Sequence, residues 1–331
     1  MAEIGYTMMC EQTPARQLVE NVTTAERIGF DYAAISDHYF PWLEEMGHSP
    51  YAWSVLGAAA QATRLPLMTY VTCPIMRYHP AVVAQKAATM GALTEGRFTL
   101  GLGSGENLNE HVVGQGWPSA DTRHGMFTEA VQIIRELFEG DYVTYRGEYF
   151  DVDSAKLYDR PEQPVPLAIA ASGGQSAGIA GEYGDALVAV DPDPDLVRAF
   201  ADGGGAGKPV YGQLPVCYDP DPEAARERAH RLWRWSAAGW KVMAELPGPV
   251  NFEAYAQTVR PEDVAEKVPC GPDVDAVVEA VRAYTDAGFT HVALVQIGHE
   301  HQDMFFDWSE KELLPALRRL KPGAGPGSGG P

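Results

Sequence analysis

The stretch RYHPAVVAQKAATMGALTEGRFTLGLGSG (Arg77–Gly105) decides the fold class of this chain. Within it, Ala81–Leu93 has the apolar periodicity of a helix, and the run Arg97–Gly101 that follows is typical of a buried strand. Similar apolar, β-branched runs alternate with helical segments along most of the sequence. This alternation predicts repeated βα units and a parallel sheet.

On either side of this stretch the same pattern predicts further helices at Ala15–Ile28, Ser54–Thr63 and Gly125–Glu139. Eight parallel strands with intervening helices close into a (β/α)₈ TIM barrel more readily than they form an open sheet, because closure leaves no unpaired edge. The predicted barrel strands are Ile4–Met9, Tyr32–Ser36, Leu67–Thr72, Arg97–Gly101, Val165–Ala171, Ala186–Val190, Val210–Val216 and His291–Ile297.

Three segments depart from the βα rhythm. Tyr142–Val152 is predicted to form a hairpin that turns at Arg146-Gly147. Asp37–Trp53 and Ala237–Cys270 are longer than ordinary connections, which is typical of an active-site lid or insertion. We therefore expect one barrel domain over residues 1–321 and a disordered, low-complexity tail over residues 322–331.

Composition narrows the class of protein. The chain has 331 residues, 45% of them hydrophobic, which suffices for one large core. A formal net charge of −20 argues against a nucleic-acid or anionic-membrane partner, because phosphate binding needs a basic face. The four cysteines, Cys10, Cys73, Cys217 and Cys270, lack the spacing of a metal site or a disulfide framework, so we expect reduced thiols. Neither a leader segment nor a membrane-spanning apolar run is visible, so we expect a soluble cytoplasmic protein.

A TIM-barrel site is built at the carboxyl ends of the strands, and ionisable residues follow several of them. Glu11 comes after the first predicted strand, Asp37-His38 after the second and Glu106 after the fourth. His38 is the candidate acid–base residue, since its ordinary pKa lies near neutrality and Asp37 stands beside it to orient it. The alternative is a helix-capping Asp37 with a surface histidine. Trp42 is a candidate wall for a flat ring, or a simple packing residue.

Two glycine-rich turns are candidate ligand contacts. Gly105 belongs to a GLGSG turn whose glycines permit close approach of the backbone to a ligand, although the dinucleotide-binding fingerprint is incomplete. Ser172–Gln175 opens a predicted helix, whose N–H groups favour a phosphate; a flexible turn is the alternative. His299–His301 reads HEH but lacks a third ligand at a known metal-site spacing, so we predict a rim loop and no metal.

Four stretches together resemble the F420-dependent glucose-6-phosphate dehydrogenase family, within the bacterial luciferase-like superfamily. They occur in order over nearly the whole chain, and the first two are the most specific in combination. They are ISDHYFPW (Ile35–Trp42), the stretch ending in GSGENLNEH (Arg77–His111), AASGGQS (Ala170–Ser176) and FFDWSEKELLPALRRL (Phe305–Leu320).

The resemblance implies a luciferase-like TIM barrel, a homodimer, and the deazaflavin coenzyme F420 with its ring in the barrel mouth. It implies that His38 is the catalytic histidine, Trp42 its ring-side tryptophan, and Glu106 and Glu11 the active-site glutamates. It also implies a non-proline cis peptide at Tyr70-Val71, a feature of ligand clamps. The implied cofactor contacts are Asp37, Tyr70, Val71, Cys73, Gly105, Asn109, Ser172, Gly173, Gly174 and Gln175, with Cys73 standing where the family commonly has threonine.

The substrate is where the sequence departs from the family. The resemblance implies lysine and arginine side chains around a sugar phosphate, one of them after the sixth strand, where this chain reads VDPDPD (Val190–Asp195). This run would repel a phosphate. Lys267 and Arg282 remain as candidate substrate-binding cations.

Three hypotheses follow. The first is an F420-dependent dehydrogenase in which His38 handles a proton while hydride passes between C5 of the deazaflavin and a small hydroxyl or carbonyl substrate, such as glucose 6-phosphate or another alcohol. The second is an FMN-dependent luciferase-like monooxygenase, or a reductase of an enone or carbonyl that uses reduced F420. The third is a flavin-binding or storage protein without an enzymatic activity.

Overall fold

The computed structural model describes residues 2–320, and in it eight parallel strands form a closed barrel. The barrel order is β1-β10-β9-β8-β7-β4-β3-β2, while β5 and β6 form a separate antiparallel hairpin. The predicted (β/α)₈ barrel is therefore confirmed. The strands are β1 (Glu3–Met8), β2 (Tyr32–Ile35), β3 (Leu67–Thr69), β4 (Phe98–Leu102), β5 (Val143–Arg146), β6 (Asp151–Ala155), β7 (Leu167–Ala170), β8 (Ala186–Val188), β9 (Val210–Val216) and β10 (His291–Gln296).

Helices connect the strands and also fill the two long segments. The α-helices are α1 (Ala15–Ile28), α2 (Ala52–Ala62), α3 (Pro80–Leu93), α4 (Asn107–Glu110), α5 (Ala120–Glu139), α6 (Gly174–Tyr183), α7 (Pro194–Phe200), α8 (Pro222–Trp233), α9 (Trp240–Met243), α10 (Pro249–Ala256), α11 (Pro261–Ala265), α12 (Val274–Asp286), α13 (Gln302–Trp308) and α14 (Leu314–Leu317). Short 3₁₀ turns lie at Cys10–Gln12, Glu44–Met46, His111–Val113, Arg234–Ala238 and His299–His301, and π turns at Ala201–Gly205 and Ser309–Leu313. Among residues 2–320, none of these helices has the length and apolarity to cross a membrane.

Element ends differ from the predictions where local hydrogen bonds decide them. Helix α5 begins at Ala120 rather than Gly125, because the Ser119 hydroxyl accepts the N–H of Thr122 at 3.3 Å and caps the helix earlier. The predicted hairpin is confirmed, but its turn lies after Arg146 and not at Arg146-Gly147, because Arg146 is paired with Asp151. Its turn is held by the Glu129 carboxylate, which accepts three successive backbone N–H groups. The predicted tail, residues 322–331, lies outside the described residues.

The two long segments pack against one another at the carboxyl end of the barrel. The loop after β2 contributes Trp42, Leu43 and Met46 to an apolar cluster that is separate from the main core. The segment after α8 contributes Trp235 and Phe252 among others, and α8 itself contributes one face. The carboxyl ends of β9 and β10 form the floor of the cluster. We call this second core the rim cluster; its buried members are Met9, Trp42, Leu43, Met46, Leu108, Cys217, Ala225, Ala229, Leu232, Trp233, Trp235, Met243, Phe252, Val264, Val268, Val295 and Ile297.

Candidate active site

Three ionisable side chains from different loops meet at the carboxyl end of the barrel. His38 Nε2 lies 3.4 Å from Glu11 Oε1 and 3.3 Å from Glu106 Oε1. The other ring nitrogen, Nδ1, lies 3.2 Å from the carbonyl oxygen of Phe40. Because that oxygen can only accept, the contact assigns a proton to Nδ1, and Nε2 is the ring nitrogen that faces the two carboxylates. We call Glu11, His38 and Glu106 the His38 cluster.

The three members differ in their access to solvent. The side chains of His38 and Glu106 are 11% and 13% exposed, whereas that of Glu11 is 3% exposed. Glu11 also accepts hydrogen bonds from the Ser36 hydroxyl and, at 3.2 Å, from Trp42 Nε1. A ligand in the barrel mouth can therefore reach His38 and Glu106, while Glu11 holds the histidine from behind. Ser36 was not among the site residues that the sequence predicted.

Trp42 is a buried packing residue as well as a neighbour of His38. Its ring centroid lies 4.8 Å from that of His38. On its other side it stacks on Trp235 at 4.2 Å with an interplanar angle of 5°, and it meets the edge of Phe252 at 5.1 Å. The packing interpretation of Trp42 is thus confirmed, and its role as the wall for a flat ring stays a prediction. Sequence reasoning missed Trp235 and Phe252, which are remote from Trp42 along the chain.

Asp37 does not orient His38, which corrects the sequence-based hypothesis. Its carboxylate is fully buried and accepts hydrogen bonds from Trp53 Nε1 at 3.0 Å and from the Thr72 hydroxyl at 2.8 Å. Arg77 donates to both its carboxylate, at 3.1 Å, and its backbone carbonyl, at 2.7 Å. Its carboxylate oxygens are therefore bonded to protein groups, and the cofactor contact that the resemblance implies for Asp37 stays a prediction. The helix-capping alternative is also wrong.

Arg77 also contacts Glu110, so the hydrogen-bond network of Asp37 extends to a second buried carboxylate. The Glu110 carboxylate accepts the backbone N–H of Arg77 at 2.8 Å and lies 3.6 Å from its Nε. Burial raises the pKa of Glu110 to about 7, and the nearby Arg77 only partly offsets this. The result is a buried chain, Asp37–Arg77–Glu110, that sequence reasoning did not find, although Arg77 opens one of the quoted stretches.

Asn109 and Cys73 are also turned into the protein. Asn109 Oδ1 accepts the N–H groups of Tyr39 at 2.7 Å and Phe40 at 3.1 Å, while its Nδ2 donates to Glu106 Oε1 at 2.5 Å. The thiol of Cys73 is buried, and burial raises its pKa well above the usual range, so the thiol is neutral. Their side chains therefore support the site from within, and the cofactor contacts that the resemblance implies for them stay predictions.

The backbone around β3 and β4 is closely packed where a ligand contact was expected. The peptide bond between Tyr70 and Val71 is cis, which confirms that expectation from the resemblance. Gly105 has a φ of 76°, and a Cβ added there would lie 2.5 Å from Cys73 Sγ. The close approach that Gly105 permits is therefore to Cys73 of the same chain. Tyr70, Val71 and Gly105 are half-buried at the rim.

The Ser172–Gln175 turn is the most open part of the rim. All four residues are exposed, and a Cβ added at Gly173 or Gly174 would meet nothing within 4 Å. Helix α6 begins at Gly174, and its first intrahelical bond, from Ala177 N to Gly173 O, is 2.9 Å long. The N–H groups of Ser172 and Gly173 donate to the Ser176 hydroxyl at 3.3 Å, whereas those of Gly174, Gln175 and Ser176 lie in the first helical turn, which leaves its N–H groups without an intrahelical acceptor and suits an anion.

The candidate substrate cations are not part of this arrangement. Arg282 lies in the last turns of α12, which leads to the amino end of β10, so it points to the opposite edge of the barrel from the His38 cluster. It pairs with Glu279 at 3.6 Å on the outer surface. Lys267 is exposed in the segment that follows α11. The structure thus contradicts a rim position for Arg282 and brings neither residue into contact with the cluster.

The acidic run after the sixth barrel strand does lie at the rim, and it has a local structural role. Asp193 is the N-cap of α7 and accepts the N–H of Asp195 at 2.8 Å. The Asp195 carboxylate pairs with Arg198 at 3.0 Å. The Asp193 carboxylate therefore caps helix α7, and the Asp195 carboxylate is paired with a cation of the same helix.

The HEH turn has partners other than a metal. His301 Nε2 lies 4.0 Å from Asp219, which binds the Arg228 guanidinium, and the ring of His299 meets that of His48 at 5.5 Å. Across residues 2–320, no three His, Cys, Asp or Glu side chains are grouped as metal ligands.

Comparison with known proteins identifies the protein family of the chain. The model of the "Luciferase-like monooxygenase" family matches residues 2–291. The chain belongs to this family. It is 36% identical to "F420-dependent glucose-6-phosphate dehydrogenase" of Amycolatopsis mediterranei over 97% of this chain and 100% of that protein. It is likewise 36% identical to "F420-dependent hydroxymycolic acid dehydrogenase" of Mycobacterium tuberculosis, over 95% of this chain and 88% of that protein.

Solved structures of the luciferase-like family agree with the barrel. An F420-dependent secondary alcohol dehydrogenase in complex with an F420-acetone adduct superposes with a TM-score of 0.88 at 32% identity, covering 96% of this chain and 99% of that one. The F420-dependent tetrahydromethanopterin reductase of Methanopyrus kandleri, at 22% identity and a TM-score of 0.77, shares the fold. The resemblance drawn from the sequence motifs is thereby confirmed.

Proposed function

We propose that this chain is an F420-dependent dehydrogenase in which His38 Nε2 exchanges a proton with the substrate. The chain is an F420-dependent oxidoreductase by its relatives, which are 35–38% identical over nearly its full length and are named for F420-dependent dehydrogenation. The observation that carries the finer proposal is the position of His38 Nε2 between Glu11 and Glu106, at the rim of the barrel.

The residues at the rim fit the cofactor. A diester phosphate matches the open Ser172–Gln175 turn, because the N–H groups of Gly174 and Gln175 begin helix α6 and the two glycines leave space beside them. Tyr70, Val71 and Gly105, on the neighbouring strand ends, would line the path to the mouth. Bound F420 supplies a ring carbon, C5, that accepts or gives up hydride.

The proton chemistry falls to side chains of this chain. In alcohol oxidation, His38 Nε2 takes the hydroxyl proton, and its Nδ1 stays bonded to the Phe40 carbonyl. Glu106 is the other ionisable side chain with access to the mouth, so it is the second candidate proton donor or acceptor. Glu11 and Trp42 hold the imidazole in place. General acid–base assistance of this kind contributes about 10²–10⁴-fold to the rate.

The first experiment asks which flavin the protein binds. Purified protein is titrated with F420 and, separately, with FMN, and each cofactor's fluorescence is followed. We expect F420 to bind much more tightly. Equal or reversed affinities would reject the proposal in favour of the FMN-dependent monooxygenase.

The second experiment concerns the substrate. Asp193 and Asp195 at the rim, with Arg282 on the outer surface, favour an alcohol or carbonyl compound that carries no phosphate. Sugar phosphates and neutral alcohols are assayed with F420 by loss of its visible absorbance, and carbonyl compounds with reduced F420. Efficient oxidation of glucose 6-phosphate with a micromolar KM would overturn this preference.

We also propose a homodimer. Helix α3 presents Val82 and Leu93 to solvent, 46% and 43% exposed, which is suitable for burial against a second copy. Light scattering on the eluted peak of a sizing column gives the mass directly, and a monomer at micromolar concentration would reject the dimer.

A further inference from the structure

Two short segments carry most of the proposed proton chemistry. The first, residues 37–42, follows β2 and holds His38; the second, residues 106–110, forms α4 with its N-cap and holds Glu106. Their relative position sets the 3.3 Å separation between His38 Nε2 and Glu106 Oε1. Asn109 joins the segments on one side, through Tyr39, Phe40 and Glu106.

Arg77 joins the same two segments a second time. It comes from neither of them, since it lies between β3 and α3. Its NH2 donates to the Asp37 carbonyl oxygen at 2.7 Å and to Asp37 Oδ1 at 3.1 Å, directly before His38 in the chain. Its backbone N–H and Nε face the two oxygens of Glu110, at 2.8 Å and 3.6 Å.

The burial of these groups makes the connection stiff. The side chain of Arg77 is 8% exposed, and those of Asp37 and Glu110 are 0% and 1% exposed. Water therefore offers little substitute for any of these bonds, and each group depends on the others for its solvation. The planar guanidinium presents several N–H donors in a fixed geometry, which a lysine ammonium cannot reproduce.

We propose that Arg77 is a positioning residue that fixes His38 against Glu106 by bonding Asp37 and Glu110 at once. The step to catalysis rests on the proposed function of His38. Arg77 itself need not touch the substrate or the cofactor, because its hydrogen bonds all go to protein groups of the two segments.

The test compares R77K with R228K as the matched control. The Arg228 guanidinium is also buried, 6% exposed, and binds the Asp219 carboxylate, but it contacts neither segment. Assays at pH 8, above the pKa of Glu110, keep that carboxylate ionised. A small misplacement of a catalytic group can cost up to about 10²-fold in rate. We expect R77K to lower kcat about 10–100-fold with KM within about threefold of wild type, and R228K to stay near wild type.

A double variant separates positioning from general damage. If Arg77 acts through His38, R77K/H38A turns over at the rate of H38A alone, because the imidazole that Arg77 positions has been removed. If Arg77 has only a structural role, the two losses multiply. A kcat for R77K within twofold of wild type, or multiplicative losses, would overturn the proposal.

A measurement without cofactor distinguishes failure of this proposal from failure of the proposed function. Protein labelled with ¹⁵N-histidine gives imidazole resonances for its nine histidines, and the His38 signals are those lost in H38A. We expect R77K, and not R228K, to shift them. Unshifted His38 resonances would overturn the role of Arg77 even if F420 turnover proved absent, whereas shifted resonances without turnover would reject the function alone.

Should R77K fail to fold, the E110Q variant tests the same proposal, because it changes the partner of Arg77 in the second segment. Glutamine keeps the size of the side chain and one acceptor but removes the charge that faces Arg77 Nε. We expect a smaller fall in kcat that is absent from the H38A background, together with a shift of the His38 resonances. Unchanged kcat and unshifted resonances in E110Q would overturn the proposal.

Discussion

The two sides of the barrel mouth are built on different principles. Around His38, side chains from several loops are buried and bonded to one another, as in the Asp37–Arg77–Glu110 chain. On the other side of the mouth, the segments after β7 and β8 are exposed, and the first of them is rich in glycine. Their hydrogen bonds mainly cap the first turns of helices α6 and α7.

This difference follows from what each side is proposed to do. Proton transfer depends on distances held within fractions of an ångström, which interlocked side chains provide. An anionic group needs open N–H donors and space, which glycines at a helix start provide. Substitutions on the first side should therefore affect rate and stability, and those on the second should affect affinity.

The largest effect is expected for His38→Ala. Because the imidazole is assigned to proton transfer and not to anchoring, kcat should fall about 10²–10⁴-fold while the Kd for F420 changes little. Stopped-flow turnover and fluorescence titration measure the two quantities on the same preparation. A variant with near wild-type kcat would remove His38 from the mechanism.

Asp37→Ala should have the second largest effect, on stability. The substitution leaves the buried Arg77 guanidinium without its carboxylate and deprives Trp53 Nε1 of its acceptor. Breaking a buried ion pair in this way costs about 3–5 kcal/mol, which urea unfolding would register. A loss below about 1 kcal/mol would mean that water replaces the missing carboxylate.

On the open side, Gly174→Asp should weaken F420 binding by about tenfold, equivalent to about 1.4 kcal/mol, because a carboxylate would stand beside the phosphate. The backbone has room for a side chain there, so stability should be unaffected. Gly174→Ala is the matched control and should bind normally. Equal affinities for the two variants would place the phosphate elsewhere.

The smallest effect is expected for Asp193→Ala. It removes the cap of α7, which accepts the N–H groups of Asp195 and Leu196 at 2.8 Å and 3.4 Å. Loss of an N-cap costs about 1 kcal/mol of unfolding free energy. Thermal unfolding should show a small decrease in Tm, while kcat stays at the wild-type value. A fall in kcat would show that this side of the barrel mouth also contributes to the rate.

The sequence predicted the barrel well because apolar periodicity is local. Helix Ala15–Ile28 and strand Val210–Val216 have the predicted ends. The meeting of Glu11, His38 and Glu106 was also predictable, since the carboxyl ends of parallel strands converge at one rim of a barrel.

The orientation of side chains was harder to predict. Asp37 directly precedes His38, yet successive side chains of an extended segment point in opposite directions, so the carboxylate turns inward to Arg77. The contact of Trp42 with Trp235 joins the loop after β2 to the turn that follows α8, and no spacing along the chain encodes such a pairing. The resemblance identified positions near the site but not the protein groups to which their side chains are bonded.

The parallel stack of Trp42 and Trp235 also provides an intrinsic spectroscopic signal for the packing of the two segments that carry them. Two indoles held 4.2 Å apart couple their excited states, so near-ultraviolet circular dichroism should contain a band that depends on both rings. Trp42 sits on the loop that carries His38, and Trp235 on the segment that packs over it. Any ligand that moves these segments apart would change this band, even one that has no colour of its own.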